Sequence, residues 1–199
     1  MARASTDLFD LYLQPDFFDP PTCQRVLADL VNAAGEQAAV YGVSEGGVVD
    51  ERVRKVMRLA PSRATVDFVE SRLMQARVAI AAHFRLELAG CEAPQFLCYG
   101  EGGHFVAHQG GGTGMLRSHA EQSRKASVVI FLNAPCEDDQ AGTYAGGSLV
   151  FTEWRANRTN GRFDLRAGAG SLVAFLPDTT HEVTPVTRGE RYSIATWYW

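Results

Sequence analysis

The stretch Gln95-Phe96-Leu97-Cys98-Tyr99-Gly100-Glu101-Gly102-Gly103-His104-Phe105-Val106-Ala107-His108 holds two β-type runs parted by a Gly-rich break. Its composition marks a change in the chain near Ala93. Downstream, short β-type runs recur between turn signals. They fall near Ala126–Leu132, Ser148–Glu153, Arg162–Leu165, Ser171–Phe175, Thr184–Val186 and Tyr192–Tyr198. Many short strands at such spacing predict a barrel or sandwich. Upstream the reading is helical. Pro20-Pro21-Thr22 precedes Val26, Leu27, Leu30 and Val31, the spacing of one helix face. A second helix is predicted over about Thr65 to Leu88, with Val66, Val69, Leu73, Ala76 and Ile80 on one side. Helices followed by strands make an α+β chain built on a β core. We divide its single domain into a helical support region, about 1–92, and a β core, about 93–199.

Composition narrows the function classes. The 199 residues suit one domain. Hydrophobic residues at 46% and charged residues at 21% argue against wholesale disorder. The net charge is −4, without a Lys/Arg block, so no nucleic-acid partner is expected. No apolar run reaches membrane-spanning length, and no membrane partner is expected. The N-terminus has no apolar h-region, so a cytoplasmic location is expected. Cys23, Cys91, Cys98 and Cys136 lack CxxC spacing and read as free thiols.

The five histidines are the first candidates for chemistry. His108 closes a predicted strand. His181 follows the strand and turn Ser171–Pro177, and Arg191 comes ten residues later. A lone histidine is more often a packed or surface residue than a ligand. His83, inside a predicted helix, reads as structural. His104, four residues before His108, shares its strand face and reads equally as a pocket or a surface residue.

Taken in order, these residues resemble the iron(II)/2-oxoglutarate-dependent oxygenases, in particular the prolyl 4-hydroxylase branch. The resemblance covers about Gln95 to Trp199. It runs through Tyr99-Gly100-Glu101-Gly102-Gly103, His108, Arg124 ahead of Ser127–Asn133, Tyr144-Ala145-Gly146-Gly147, His181, Arg191 and Trp197. Each motif alone is weak, and the ordered set is specific. The resemblance implies a double-stranded β-helix, or jelly roll, with N-terminal supporting helices. It implies Fe(II), 2-oxoglutarate and O2, with His108 and His181 as metal ligands. Arg191 would pair with the distal carboxylate of 2-oxoglutarate, an Arg fork suiting a carboxylate. Tyr99 and Trp197 are placed with that cosubstrate, and Arg124 with the substrate. Phe131 stands where some relatives carry another tyrosine. The substrate implied is a prolyl residue in a peptide or protein, or a small molecule.

The departure is Gly110. The family's metal-binding Asp belongs two residues after His108, and this chain reads His108-Gln109-Gly110. Three readings stay open. One is a hydroxylase whose Asp has been replaced, by design or by drift. Another is a halogenase-like site with chloride at the vacant iron position. The third is a substitute carboxylate, for which His119-Ala120-Glu121 offers Glu121. A non-catalytic jelly-roll binding module is the alternative from another class, and a zinc hydrolase using the two histidines is weaker. The loops Tyr41–Asp50 and Gly110–Gln122 are expected to select the substrate.

Overall fold

The computed structural model describes residues 9–40, 47–110, 122–138, 140–153 and 161–199. Two helices and fourteen strands are found among them. The order is β1 (Leu11–Gln14), α1 (Pro20–Val31), β2 (Ala34–Gln37), β3 (Arg54–Lys55), β4 (Met57–Ala60) and α2 (Arg63–Phe84), then β5 (Gln95–Tyr99), β6 (His104–His108) and β7 (Ala126–Phe131). These lead to β8 (Tyr144–Gly146), β9 (Leu149–Thr152), β10 (Arg162–Leu165), β11 (Leu172–Phe175), β12 (His181–Val183), β13 (Val186–Gly189) and β14 (Arg191–Tyr198). A seven-stranded sheet runs β1-β11-β7-β14-β5-β4-β2, and a five-stranded sheet runs β10-β9-β12-β6-β3. Strands β8 and β13 form a separate ribbon. The pairing inside all three is antiparallel, as a jelly roll requires.

The larger sheet is buried on both faces, and residue parity assigns the faces. Even-numbered side chains on its central strands, including Phe96, Val128, Ile130, Leu172, Ile194 and Tyr198, pack with the helices. Odd-numbered ones, including Leu97, Tyr99, Phe131, Val173 and Phe175, meet Leu149, Phe151 and Val183 of the smaller sheet. Strands buried on both sides read as continuous apolar runs, which is why these four were legible in the sequence.

The helices begin where the sequence places them. Asp19 caps α1 by accepting from Thr22 N, with prolines in the first turn. Ser62 caps α2, whose buried face is Val69, Leu73, Ala76 and Ile80. Helix α2 stops at Phe84, four residues short of the expected end, because Arg85 takes the left-handed conformation with φ of 56°. Val31, expected on the buried face of α1, is 66% exposed. The predicted strand Thr184–Val186 is instead a break at Thr184-Pro185 between β12 and β13, since Pro185 has no N–H to pair. The upstream third is not only helical. Strands β1, β2 and β4 extend the larger sheet and β3 the smaller one. The four cysteines are free thiols, as expected. Among the described residues, no helix is long and apolar enough to cross a membrane.

Tyr198 ties the last strand to the long helix. Its buried hydroxyl donates to the carbonyl of Leu73. Tyr198→Phe removes this bond without changing the ring packing. It should cost about 1 kcal/mol, which lowers Tm by roughly 2–4 °C in a domain of this size. A thermal melt of the variant checks this, and an unchanged Tm would show that the bond adds nothing.

Candidate metal and cosubstrate site

The site is built on one inter-strand register. In the pairing of β12 with β6, His181 stands directly opposite His108. Their ring centroids are 4.2 Å apart. Each Nδ1 lies at hydrogen-bond distance from the carbonyl two residues earlier, Val106 O at 2.8 Å and Thr179 O at 2.9 Å. A carbonyl can only accept, so each Nδ1 carries the proton and each Nε2 keeps its lone pair. Aromatic walls complete the setting. Phe105 stacks on His108 at 3.5 Å, and Phe175 meets His181 edge-on at 4.6 Å.

Burial disfavours the cationic form of both rings. It pushes His181 down to about 4. It also carries His108 well below the ordinary imidazole value, helped by the neighbouring His181 and opposed by the bond to Val106. Two neutral imidazoles with locked tautomers suit a borderline metal such as iron(II).

Beyond the histidines, a cavity of about 250 Å³ runs between the two sheets. Arg191 is its most buried charge, 1% exposed. Its Nη1 donates to Ser193 Oγ at 2.9 Å, while Nε and Nη2 have no partner. Its guanidinium carbon lies 5.1 Å from the ring centres of both Tyr99 and Phe131. An orphaned, buried guanidinium N–H is costly, and the cost is recovered when an anion binds. Gly147 makes room for this arginine. Its φ is +58°, and a Cβ there would lie 3.1 Å from Arg191 Cδ. Tyr144, which packs in the same inner core, has its phenol pushed up by burial, with Arg191 pulling the other way.

His108, His181, Arg191, Tyr99, Trp197, Arg124 and Gly110 all line this one cavity. Arg124, expected to face substrate, is already engaged. It grips both oxygens of Glu92 at 2.5 and 2.7 Å, donates to Gly110 O at 2.8 Å, and lies 3.7 Å from the Trp197 ring centre. His104 is not in the lining, and its ring nitrogens face the carbonyls of Gly102 and Arg52. His83 faces Asp10 at 2.8 Å, a structural contact. His119, Glu121 and the glycine loop from Gly111 onward lie outside the described residues. Sequence reading missed Arg54, Ser127 and Ser193, which also line the cavity. The two serines carried a usable signal, their odd numbers on inward-facing strands.

No described Asp or Glu lines the cavity, and the described residues contain no group of three metal-binding side chains. Gly110 does not leave an open hole. A Cβ there would come within 2.3 Å of Ser127 Oγ and 3.0 Å of Trp197 Nε1. Gln109 is turned toward Asp178 O and Thr180 Oγ1. The described donor set for a metal is therefore two imidazoles.

Residues 94–199 match the profile of the 2OG-Fe(II) oxygenase superfamily. The chain belongs to that superfamily. It is similar to PKHD-type hydroxylases, at 30% identity over 106 residues in Stenotrophomonas maltophilia, covering 53% of this chain and 41% of that protein. In Stutzerimonas stutzeri the figures are 34% over 107 residues, 53% and 42%. The chain thus spans about two fifths of the length of these relatives. A PKHD-type hydroxylase of Burkholderia ambifaria aligns over 183 residues at 28% identity, covering 90% of this chain and 73% of that protein. The fold is that of the prolyl hydroxylase branch. A prolyl-4-hydroxylase from Pseudomonas putida superposes with a TM-score of 0.67 at 23% identity, over 98% of this chain and 94% of that one. A prolyl hydroxylase from Trichoplax adhaerens, in complex with a hypoxia inducible factor oxygen degradation domain peptide fragment, gives 0.69 at 18%, over 98% and 86%.

The depressed histidines set a pH dependence for the metal-free protein. Below pH 6.5 the unfolded imidazole of His181 takes up a proton that the native one refuses until about 4. The unfolded state then binds more protons, so stability rises with pH and is lost as pH falls from about 6.5 toward 4. The full loss from His181 is roughly 3 kcal/mol. Melting curves between pH 7 and 5 should show Tm falling, and His181→Gln should flatten part of the slope. Identical slopes in the two proteins would remove His181 from the cause.

Proposed function

We propose that this chain is an Fe(II)/2-oxoglutarate-dependent oxygenase of prolyl-hydroxylase type that acts on an unactivated C–H bond, with residues 1–199 forming one oxygenase domain. One observation carries the reading: two tautomer-locked neutral imidazoles in register, beside an orphaned buried arginine in the same cavity. Iron(II) held there would supply O2 activation, coupling conversion of 2-oxoglutarate to succinate and CO2 with oxidation of the substrate.

The chain's own residues do the rest. His108 and His181 present their Nε2 lone pairs without first losing a proton, because burial keeps both neutral near pH 7. Arg191 pairs with the distal carboxylate of 2-oxoglutarate through the two nitrogens that lack partners. Ser193 holds the guanidinium in place. Tyr99 and Trp197 border the cosubstrate. Arg124 donates to Gly110 O and lies over the Trp197 ring of β14, so it ties the backbone leaving His108 to that strand. The phenylalanines around the histidines exclude water. The substrate is a peptide or a small molecule, in keeping with the relatives. A second reading, halogenation with chloride as an added ligand, draws on the lack of a described carboxylate in the lining.

The test is anaerobic titration with iron(II) and 2-oxoglutarate, following the metal-to-ligand charge-transfer band. His108→Ala or His181→Ala should abolish the band. Arg191→Ala should weaken 2-oxoglutarate roughly 10- to 100-fold while iron still binds. A wild-type protein without the band would overturn the reading. Gly110→Asp should tighten iron binding, and more so together with Ser127→Ala, which removes the hydroxyl that the new Cβ would strike. Equal iron affinity in the parent and both variants would mean that position 110 does not face the metal. Chlorinated product in chloride, lost in Gly110→Asp, would decide for halogenation.

A further inference from the structure

We propose that Gln109 is a positioning residue for the histidine pair. Its side-chain amide ties the end of β6 to the turn that leads into β12, and so holds both imidazoles in place before any metal arrives. The inference rests on the oxygenase reading above, in that it takes His108 and His181 as the metal-binding pair, and it assigns a further residue to that site.

The backbone ladder between the two histidine strands is short. His108 is the last residue of β6 and His181 the first of β12, so the two rings stand at the very end of the pairing. The next registered pair is Phe105 with Val183, and three steps along β6 match two along β12. This bulge removes a regular pairing next to the histidines, and it turns Phe105 rather than His104 into the cavity lining. Strand ends open more readily than strand centres. On its other side His181 is opposite Phe151 of β9, which steadies the β12 backbone but not the chain that leaves His108. Arg124 holds that chain at Gly110 O from the side of the larger sheet, a contact that does not reach β12. The described residues include no carboxylate in the lining through which a metal could anchor it.

Gln109 continues the pairing with its side chain. Its Nε2 donates to Asp178 O at 2.8 Å and to Thr180 Oγ1 at 3.3 Å. A carbonyl only accepts, so the nitrogen of the amide, not its oxygen, faces the turn. Between those two partners stands Thr179. Its carbonyl lies 2.9 Å from His181 Nδ1 and sets the tautomer of that ring. The turn has two backbone ties of its own, Thr179 N to Leu176 O and Thr152 N to Thr180 O, both at 3.0 Å. Neither reaches β6, whereas the Gln109 bonds do. The amide therefore links the residue after one imidazole to the acceptor that orients the other. Without it the peptides on either side of Thr179 gain freedom to rotate, and Thr179 O no longer selects one form of His181. A partner that orients a metal-binding histidine is typically worth roughly 10- to 100-fold in metal affinity.

The experiment uses the full chain and two variants. Gln109→Met keeps the reach of the side chain without a donor, and Thr180→Val takes away the longer of the two bonds while leaving Asp178 O in place. Ring-nitrogen NMR of the metal-free protein reads the histidine tautomers. Anaerobic titration with iron(II) and 2-oxoglutarate reads metal affinity through the charge-transfer band. In the wild-type protein His181 should show the Nδ1–H form alone. Gln109→Met should mix in the Nε2–H form at His181 and weaken iron(II) roughly 10- to 100-fold. Thr180→Val should move both readings the same way by less, and it decides the matter where Gln109→Met does not fold. His83, which faces Asp10, should keep its spectrum in both variants. A merely structural role would move His83 together with His181. That outcome, an unchanged His181 tautomer, or an unchanged iron(II) affinity overturns the inference. The tautomer is read without metal, so a wild-type protein lacking the charge-transfer band overturns the oxygenase reading and leaves the tautomer result for Gln109 standing on its own.

Discussion

An arginine buried to 1% exposure, with no carboxylate among the described residues lining its cavity, constrains everything around it. Taking a guanidinium out of water is costly, and leaving two of its nitrogens unpartnered adds to the cost. The fold tolerates Arg191 because its neighbours are arranged for it. Tyr99 and Phe131 give it aromatic faces, Ser193 accepts one N–H, and Gly147 lacks the Cβ that would press on its stem. These four come from different strands or their connections, so the larger sheet must close before the arginine is housed. The residual deficit is what a dicarboxylic acid can settle.

Parity joins this arginine to the cavity that the histidine pair lines. On the central strands, even residues face the helices and odd residues face the second sheet. Arg191, Ser193, Ala195 and Trp197 all fall on the odd face of one strand, and Ser127 falls on that of its neighbour. A one-residue slip of β14 would turn Arg191 into the helix layer and bring Tyr192 and Ile194 into the cavity. Tyr198, anchored to α2 through its hydroxyl, works against such a slip from the strand's far end.

The parts of the fold that the sequence displayed are those with their own hydrophobic signal. Strands β5, β7, β11 and β14 are apolar runs, and α2 repeats its apolar face through Val69, Leu73, Ala76 and Ile80. Strand β2, Ala34–Gln37, has no such signal, since most of its residues are exposed and it exists by pairing with β4. Strand β3 is two residues long and owes its form to β6. The site followed the same division. His108, Arg191, Tyr99 and Trp197 belong to legible strands, whereas His181 opens β12, a strand of three residues that local pattern did not reveal, and all five line the cavity. Arg54 was invisible because it sits on β3, in a stretch whose local pattern predicts neither strand nor pocket. Arg124 was legible as a position, but its bonds to Glu92 depend on a residue thirty-two places earlier in the chain, which no local pattern reveals.

Gly110 changes the electrostatics more than the shape. A carboxylate beside the histidines would put one negative charge at the metal, and the described residues put none there. Two neutral imidazoles leave the full charge of a divalent ion uncompensated. Arg191 adds one more positive charge to the same cavity. A doubly charged 2-oxoglutarate answers only part of that sum. The remaining excess lies in a low-dielectric space between two sheets, where a charge imbalance weighs far more than in water. A second anion is the most direct way to relieve it. A halide at the metal would relieve it locally.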